Sequence, residues 1–517
     1  MIILLSGLGM LSLVTSCRKD LSLAPISQIG NSNFFKTATQ FDSFMAGIHS
    51  TFRANTETFQ RLGEVRADIF GTDPGSTTAF TGEATNGLEN MWNETLTLNS
   101  AGVNNYGFPP NVSNANNFYF NIGQINSMIV QLNNTTVVTP ANKSYYLGIC
   151  YGMRAFYYFQ MYRTWGSVPI TTTPIVVNVA NVNQAQSPAA DVMTLIKSDI
   201  DQSVTSFAGN YAFMNSKGYW SLSATLMLKA EVYLWTSSHN SSTADATTAL
   251  AALNTIQTNV PSLTLLPSYS SVFATTNRGN NEVIFAIHNT LNEYSMSWVQ
   301  TSYVPQNNLI IAFYDSTQNR QFNATTDNWG GLLRAPVKIS TFRKFDPNDT
   351  RRLASIQPCY SKNTTTGAYT IAGCFVDKYA GEQSAGVRSI TNDFPIYRYA
   401  DLLLMKATAE VYLGQSPATE INLVRARAFG ANYNAATMSY PNQAIDANPR
   451  EAILQERFFE FIFEGKRWYD LRSFGDSYVY EHTALTEANS YALLWPIDKQ
   501  TLINDPLLKQ TPGYPAF

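Results

Sequence analysis

From Phe118 the apolar residues Phe118, Ile122, Ile125, Ile129 and Leu132 recur at intervals of three and four. After a short break Tyr146, Cys150, Met153, Tyr157 and Met161 repeat the pattern. At 3.6 residues per turn such spacing collects side chains on one face, so the two runs predict a helical hairpin. A second pair opens at Ser187, read as a cap, with Pro188 at the first helical position, and continues through Leu222, Leu226, Ala230 and Tyr233. A third carries Leu402, Met405, Ala409 and Tyr412 to Gly414, restarts at Ser416-Pro417, and runs through Ile421, Val424 and Ala428 to Gly430. A fourth begins with Asn448 as cap, Pro449 first and Glu451 third, then buries Leu454, Phe458, Phe461 and Ile462. One pair alone cannot bury its apolar face, so the repetition predicts four stacked, tetratricopeptide-like pairs, although no strict repeat consensus is present.

Between residues 260 and 393 the periodicity fades, and Asn, Gly, Thr and Pro separate short runs such as Val283-Ile284-Phe285-Ala286-Ile287, which reads as a strand. Residues 70–116 are similar. The expected fold is therefore mostly α, with a helical scaffold mainly over 117–258 and 394–475 and a loop-rich region containing short strands mainly over 70–116 and 260–393. With 44% hydrophobic and 13% aromatic residues, the chain is not dominated by disorder. Aromatic loops in such a chain are expected to be ordered and functional. A net charge of -3 with no Lys/Arg tract gives no electrostatic footprint for nucleic acid.

The first sixteen residues, MIILLSGLGMLSLVTS, are apolar and uncharged, too short for a membrane span and placed where a secretory signal sits. Val14-Thr15-Ser16-Cys17 resembles a bacterial lipobox, which makes residues 1–16 a signal peptide and Cys17 the lipidated mature N-terminus. The pattern departs in one respect, since no Lys or Arg precedes Cys17. Cys150 lies in a helical apolar stripe and reads as a buried, inert thiol. Cys359 and Cys374 flank SKNTTTGAYTIAG, a hairpin-like stretch. A bridge there would restrict the unfolded chain by about 3 kcal/mol, and two free thiols are equally compatible with the spacing.

Glu464, Asp470 and Arg472 beside Trp468 resemble acid/base equipment. However, Glu456, Glu460 and Glu464 are spaced by four, with Arg457, Lys466 and Arg467 at hand, which predicts ion pairs between helices. The four histidines, His49, His239, His288 and His482, have no metal-ligand spacing, and no nucleophile elbow, phosphate loop or dinucleotide glycine pattern occurs. No cofactor or resident metal is expected. Neutral sugars need flat aromatic faces with amides or hydroxyls nearby. The loop-rich regions supply Trp92 beside Asn93 and Glu94, Tyr106 and Phe108, Trp298 and Tyr303, and Trp329 in Asp-Asn-Trp-Gly-Gly. Trp92, Tyr106, Trp298, Tyr303 and Trp329 are the candidate ligand-binding residues, while Trp165, Trp468 and Trp495 are assigned to packing.

Arg154-Ala155-Phe156-Tyr157-Tyr158-Phe159 followed by Trp165-Gly166-Ser167-Val168-Pro169 resembles the helix-to-loop signature of the SusD/RagB family of nutrient-binding outer-membrane lipoproteins. The likeness is stronger in Arg398-Tyr399-Ala400-Asp401-Leu402-Leu403-Leu404-Met405, Asn422-Leu423-Val424-Arg425-Ala426-Arg427 and Phe463-Glu464-Gly465-Lys466-Arg467-Trp468-Tyr469-Asp470-Leu471-Arg472. Trp495-Pro496-Ile497 and Asn504-Asp505-Pro506 close the chain as that family does, whereas Thr408 stands where the family often has Glu. The resemblance implies a surface-exposed, lipid-anchored protein of the cell outer membrane, covering residues 17–517. It would capture an oligosaccharide or polysaccharide without catalysis and pass it to a SusC-like TonB-dependent transporter. The alternatives are peptide capture within the same family and a lipid-anchored glycoside hydrolase.

Overall fold

The computed structural model describes residues 34–80, 88–100, 117–174 and 183–516, so Cys17, Tyr106 and Phe108 lie outside the described residues. The chain is mostly helical, as the periodicity predicts. The long helix Pro140–Trp165 shows why its boundaries fall where they do. Thr139 accepts a hydrogen bond from the Asn142 N–H at 3.3 Å, Pro140 needs no partner for an N–H it lacks, and Gly166 ends the helix at φ 74°.

This helix packs on Phe118–Asn134 and on Ala189–Phe207, which leads to Leu222–Asn240 and then Thr243–Asn259. Thr243–Asn259 contacts Tyr399–Tyr412, which packs against Ala418–Phe429 and Pro449–Phe461, and the last of these reaches Arg467–Phe474. Close approach depends on two glycines. A Cβ at Gly148 would stand 2.6 Å from the Phe207 ring, and one at Gly152 would stand 2.2 Å from Trp220 Nε1. Across the same seam Arg154 donates to both Asp199 oxygens at 2.7 Å and to Asn126 Oδ1 at 2.8 Å, tying three helices together.

The Asn448 cap is as expected, its side chain accepting from the Glu451 N–H at 3.0 Å. Two other starts fall one residue later than expected. Pro188 and Pro417 are themselves the cap residues, with no side-chain cap bond, and the Ser187 N–H goes instead to the Val168 carbonyl. Three further helices precede or extend the expected pairs. Ala38–Ala54 buries Phe41, Met45, Ile48 and Phe52, and Thr56–Glu64 follows it directly. Thr243–Asn259 buries mainly Ala246, Ala249 and Ala252, small residues whose stripe contrasts weakly with its Thr-rich outer face.

In the loop-rich part, Val283–Ile287 is a fully buried strand paired antiparallel with Phe394–Arg398. Ile356–Lys362 and Tyr369–Val376 form the hairpin around the two cysteines. Cys359 lies opposite Gly373 and Cys374 opposite Pro358, so the thiols sit one step out of register on opposite sheet faces and both are free and buried. Cys150 is likewise buried, and burial pushes its thiol well above the usual range.

The expected ties between helices exist, with different partners. Glu456 pairs with Arg351 and Arg425, Glu460 with Arg351, Arg398 and Arg427, and Glu464 with Lys378 and Arg398. Arg457 and Lys466 instead meet Asp401, and Arg467 meets Asp68. Pro449–Phe461 ends before Glu464, and Phe463 adopts φ 70°, so Glu464 turns away from the helical row and reaches partners outside it. Among the described residues no helix is long and apolar enough to cross a membrane.

Candidate functional site

A cleft of about 420 Å³ opens where the C-terminal half of Ala38–Ala54 meets the Val283–Ile287 strand and the turn before Leu222–Asn240. Its floor is apolar. Phe52, Phe285 and Ile287 are each nearly excluded from solvent. Its walls and rim are polar or aromatic, supplied by His49, Ser50, Arg53, Ser216, Tyr219, His288 and Glu293. This combination of an apolar base and a few convergent polar groups is the usual composition of a small-molecule site.

The polar groups are held by partners outside the cleft. The His49 ring lies 4.3 Å from the Tyr219 ring, at an interplanar angle of 33°. Its Nε2 accepts the Trp220 backbone N–H at 3.1 Å, which leaves the proton on Nδ1, donated to the Met45 carbonyl at 2.9 Å. Burial lowers the imidazole pKa to about 4, so His49 is a neutral wall. Arg53 donates to Glu293 at 2.7 Å and to the His288 carbonyl at 3.3 Å, and its guanidinium stands 5.0 Å from the Tyr294 ring centroid. His288 turns Nδ1 toward Asp393 at 2.9 Å, which aims Nε2 outward, and its side chain is 47% exposed. Gly218 keeps the mouth open, since a Cβ there would approach Ser216 Oγ to 3.2 Å and His288 Cβ to 3.3 Å.

Of the aromatic residues selected from sequence, the four that are described, Trp92, Trp298, Tyr303 and Trp329, do not line this cleft. Trp92, Trp298, Tyr303 and Trp329 retain only 9%, 6%, 2% and 6% exposure. Trp92 packs over Gly71, with its Cδ1 3.2 Å from where a Cβ would stand. The Tyr303 hydroxyl donates to Gln60 Oε1, and its ring stacks on Phe70 at 5.0 Å. Trp329 lies between Phe375 and the guanidinium of Arg388, 4.1 Å from its centroid. Trp298 meets Phe394 edge-on, and Phe394 pairs with Ile287, so this tryptophan supports the cleft floor from behind. The rings thus hold loops and strands in place, and the side chains that line the cleft come from residues without a local motif. His49, Tyr219 and His288 come from three separated segments, and the Lys217-Gly218-Tyr219-Trp220 turn ahead of the Ser221 cap is the one sequence signal that marks the cleft.

The groups that resembled acid/base equipment are occupied. Arg457 holds Asp470 at 2.8 Å, and Arg398 and Lys378 hold Glu464, all away from the cleft.

The SusD family model matches residues 344–514. Among solved structures, NanU of B. fragilis is 40% identical, with a TM-score of 0.86 over 95% of this chain and 100% of that one. A SusD superfamily protein from Bacteroides vulgatus is 36% identical, with a TM-score of 0.83 over 93% of this chain and 100% of that one. A surface glycan-binding protein A from Bacteroides thetaiotaomicron, solved in complex with laminarihexaose, is 21% identical and shares the fold, with a TM-score of 0.64 over 92% and 99% of the two chains. With a relative of this identity matched along its whole length, the chain belongs to the SusD family.

Proposed function

We propose that this protein captures an oligosaccharide or polysaccharide at the cell surface and passes it, uncleaved, to a SusC-like TonB-dependent transporter, while a lipid on Cys17 holds it to the outer membrane. The observation that carries the reading is the cleft. Tyr219 offers an aromatic face to the C–H surface of a sugar ring, over a base formed by the buried Phe52, Phe285 and Ile287. Ser50, Arg53, His288 and Glu293 stand at the rim to fix hydroxyl positions. The family relationship supports the same ligand class, since one member of the fold is named for glycan binding and was solved with laminarihexaose. The non-catalytic reading is supported by the carboxylates that resembled acid/base equipment: Glu464 is held by Arg398 and Lys378 and Asp470 by Arg457, and neither lines the cleft. Tyr106 remains a proposed ligand contact, and of the buried candidates only Trp298 packs against the strand pair that forms the cleft floor.

The test uses soluble protein beginning at Arg18 in native affinity gels containing a panel of polysaccharides, with products assayed for new reducing ends. Retardation without cleavage is the expected result and names the glycan class. New reducing ends would overturn the non-catalytic assignment. Mobility unchanged by every glycan, with binding to a peptide pool instead, would replace glycan capture by peptide capture.

A further inference from the structure

Outside the cleft, three metal-ligating side chains converge from two C-terminal helices. Glu451 lies in the first turn of Pro449–Phe461, while Glu481 and His482 end the helix Asp476–His482. One donor atom from each residue lies within 4.8 Å of the other two. The closest approach, His482 Nε2 to Glu451 Oε1, is 3.5 Å. Two donors bound to one tetrahedral ion at about 2.0–2.1 Å stand roughly 3.3 Å apart. The pair is thus already near ligand spacing, with the exposed Glu481 carboxylate within 4.8 Å of both.

Two observations outside the triad bear on its chemistry. His482 Nδ1 faces Asp68 Oδ2 at 4.0 Å, and Asp68 is a buried carboxylate fixed by Arg467 and Lys344. At 4.0 Å the two are not hydrogen-bonded, but a small shift of the ring on metal binding would bring Asp68 into the place from which a carboxylate orients a metal-bound imidazole. In addition, neither Glu451 nor Glu481 has a Lys or Arg within ion-pair distance among the described residues. This differs sharply from Glu456, Glu460 and Glu464 on the same chain segment, each of which is saturated by cations.

We propose that Glu451, Glu481 and His482 bind a divalent first-row transition ion of the zinc type, with water completing the coordination. One nitrogen and two carboxylate oxygens suit zinc or cobalt, whereas calcium takes oxygen ligands only. The ion would clip the start of Pro449–Phe461 to the end of Asp476–His482, adding stability through binding to the folded state alone.

The experiment takes the chain from Arg18, tag removed and freed of metal by a chelator, and titrates zinc against a chromophoric competitor. One equivalent should bind, with a rise in thermal midpoint. Cobalt(II) should give the visible absorption of a nitrogen-containing site. His482→Ala and Glu451→Gln should each weaken zinc about tenfold or more. Glu481→Gln provides an independent variant at an exposed position with no recorded tertiary bond to lose. Absence of saturable zinc binding, binding unaffected by all three substitutions, or a preference for calcium over zinc would each overturn the proposal.

Discussion

Arg398 meets the Glu464 carboxylate side-on, its Nε donating to one oxygen at 2.9 Å and its Nη2 to the other at 2.8 Å, with both side chains wholly excluded from water. Nη1 of the same guanidinium reaches Glu282 at 2.8 Å and also Glu460. The strand Phe394–Arg398 is thereby fastened to the helix Pro449–Phe461 and the turn that follows it. Burial pushes the Glu460 carboxyl up, but Arg427, Arg398 and Arg351 hold it well below the ordinary range, so it remains charged in the interior.

Removing one member of such a cluster leaves buried charge without a partner, which costs more than the pair itself contributes. Arg398→Met is expected to destabilise the protein by about 3–5 kcal/mol in denaturant unfolding. Arg398→Lys, which keeps the charge and loses the two-pronged geometry, should fall between that variant and the parent. A loss below about 1 kcal/mol for Arg398→Met would show that Lys378 and Arg427 neutralise the carboxylates without it.

His49 ties stability to pH. Burial lowers its folded pKa to about 4 from 6.5, and its Nε2 accepts a backbone N–H, a contact that a proton there would break. A cation acid depressed on folding contributes stability that is present above the unfolded value and is lost as pH falls from about 6.5 toward 4. The shift corresponds to roughly 3 kcal/mol, discounted to about 2 for the water of the cleft. Denaturant midpoints from pH 7 to pH 4 should show this loss, and His49→Gln should flatten the curve over that window. An unchanged slope in the variant would assign the loss to other groups.

The thiols give a chemical test of the hairpin register. Cys359 and Cys374 stand on opposite faces, and with Cys150 they are buried and free. Protein beginning at Arg18 should therefore leave a thiol reagent unreacted when native and expose three reactive thiols in denaturant without reductant. A single reactive thiol after unfolding would mean that Cys359 and Cys374 are bridged and that the pairing of these two strands is shifted.

How far the sequence carries depends on the range of the interaction involved. The helices at Phe118–Asn134, Pro140–Trp165 and Pro449–Phe461 are set by residues three or four apart and by caps such as Asn448, so periodicity finds them. Thr243–Asn259 escapes because alanine and threonine give little contrast between its faces. The cleft depends on Arg53 reaching His288 and Trp220 reaching His49, contacts 235 and 171 residues apart, and no local pattern records them. Tryptophans were the natural candidates for a sugar platform, yet a large apolar ring gains more from burial than any other side chain, and Trp92, Trp298 and Trp329 follow that preference.

The cleft itself provides the last prediction, and it separates occupancy from folding. Gly218 lines the cleft, and a Cβ there would approach Ser216 Oγ to 3.2 Å and His288 Cβ to 3.3 Å, so a longer side chain is expected to crowd the space a ligand would use. Gly218→Leu should leave the thermal midpoint within a few degrees of the parent, because the neighbours are rim side chains, and should abolish glycan retardation. Tyr219→Ala removes an aromatic face worth about 0.5–1.5 kcal/mol, which is up to roughly tenfold in affinity. Isothermal titration with the glycan identified on affinity gels would read both effects. Full binding by both variants, each folded, would move the ligand away from this cleft and toward the segment that contains Tyr106.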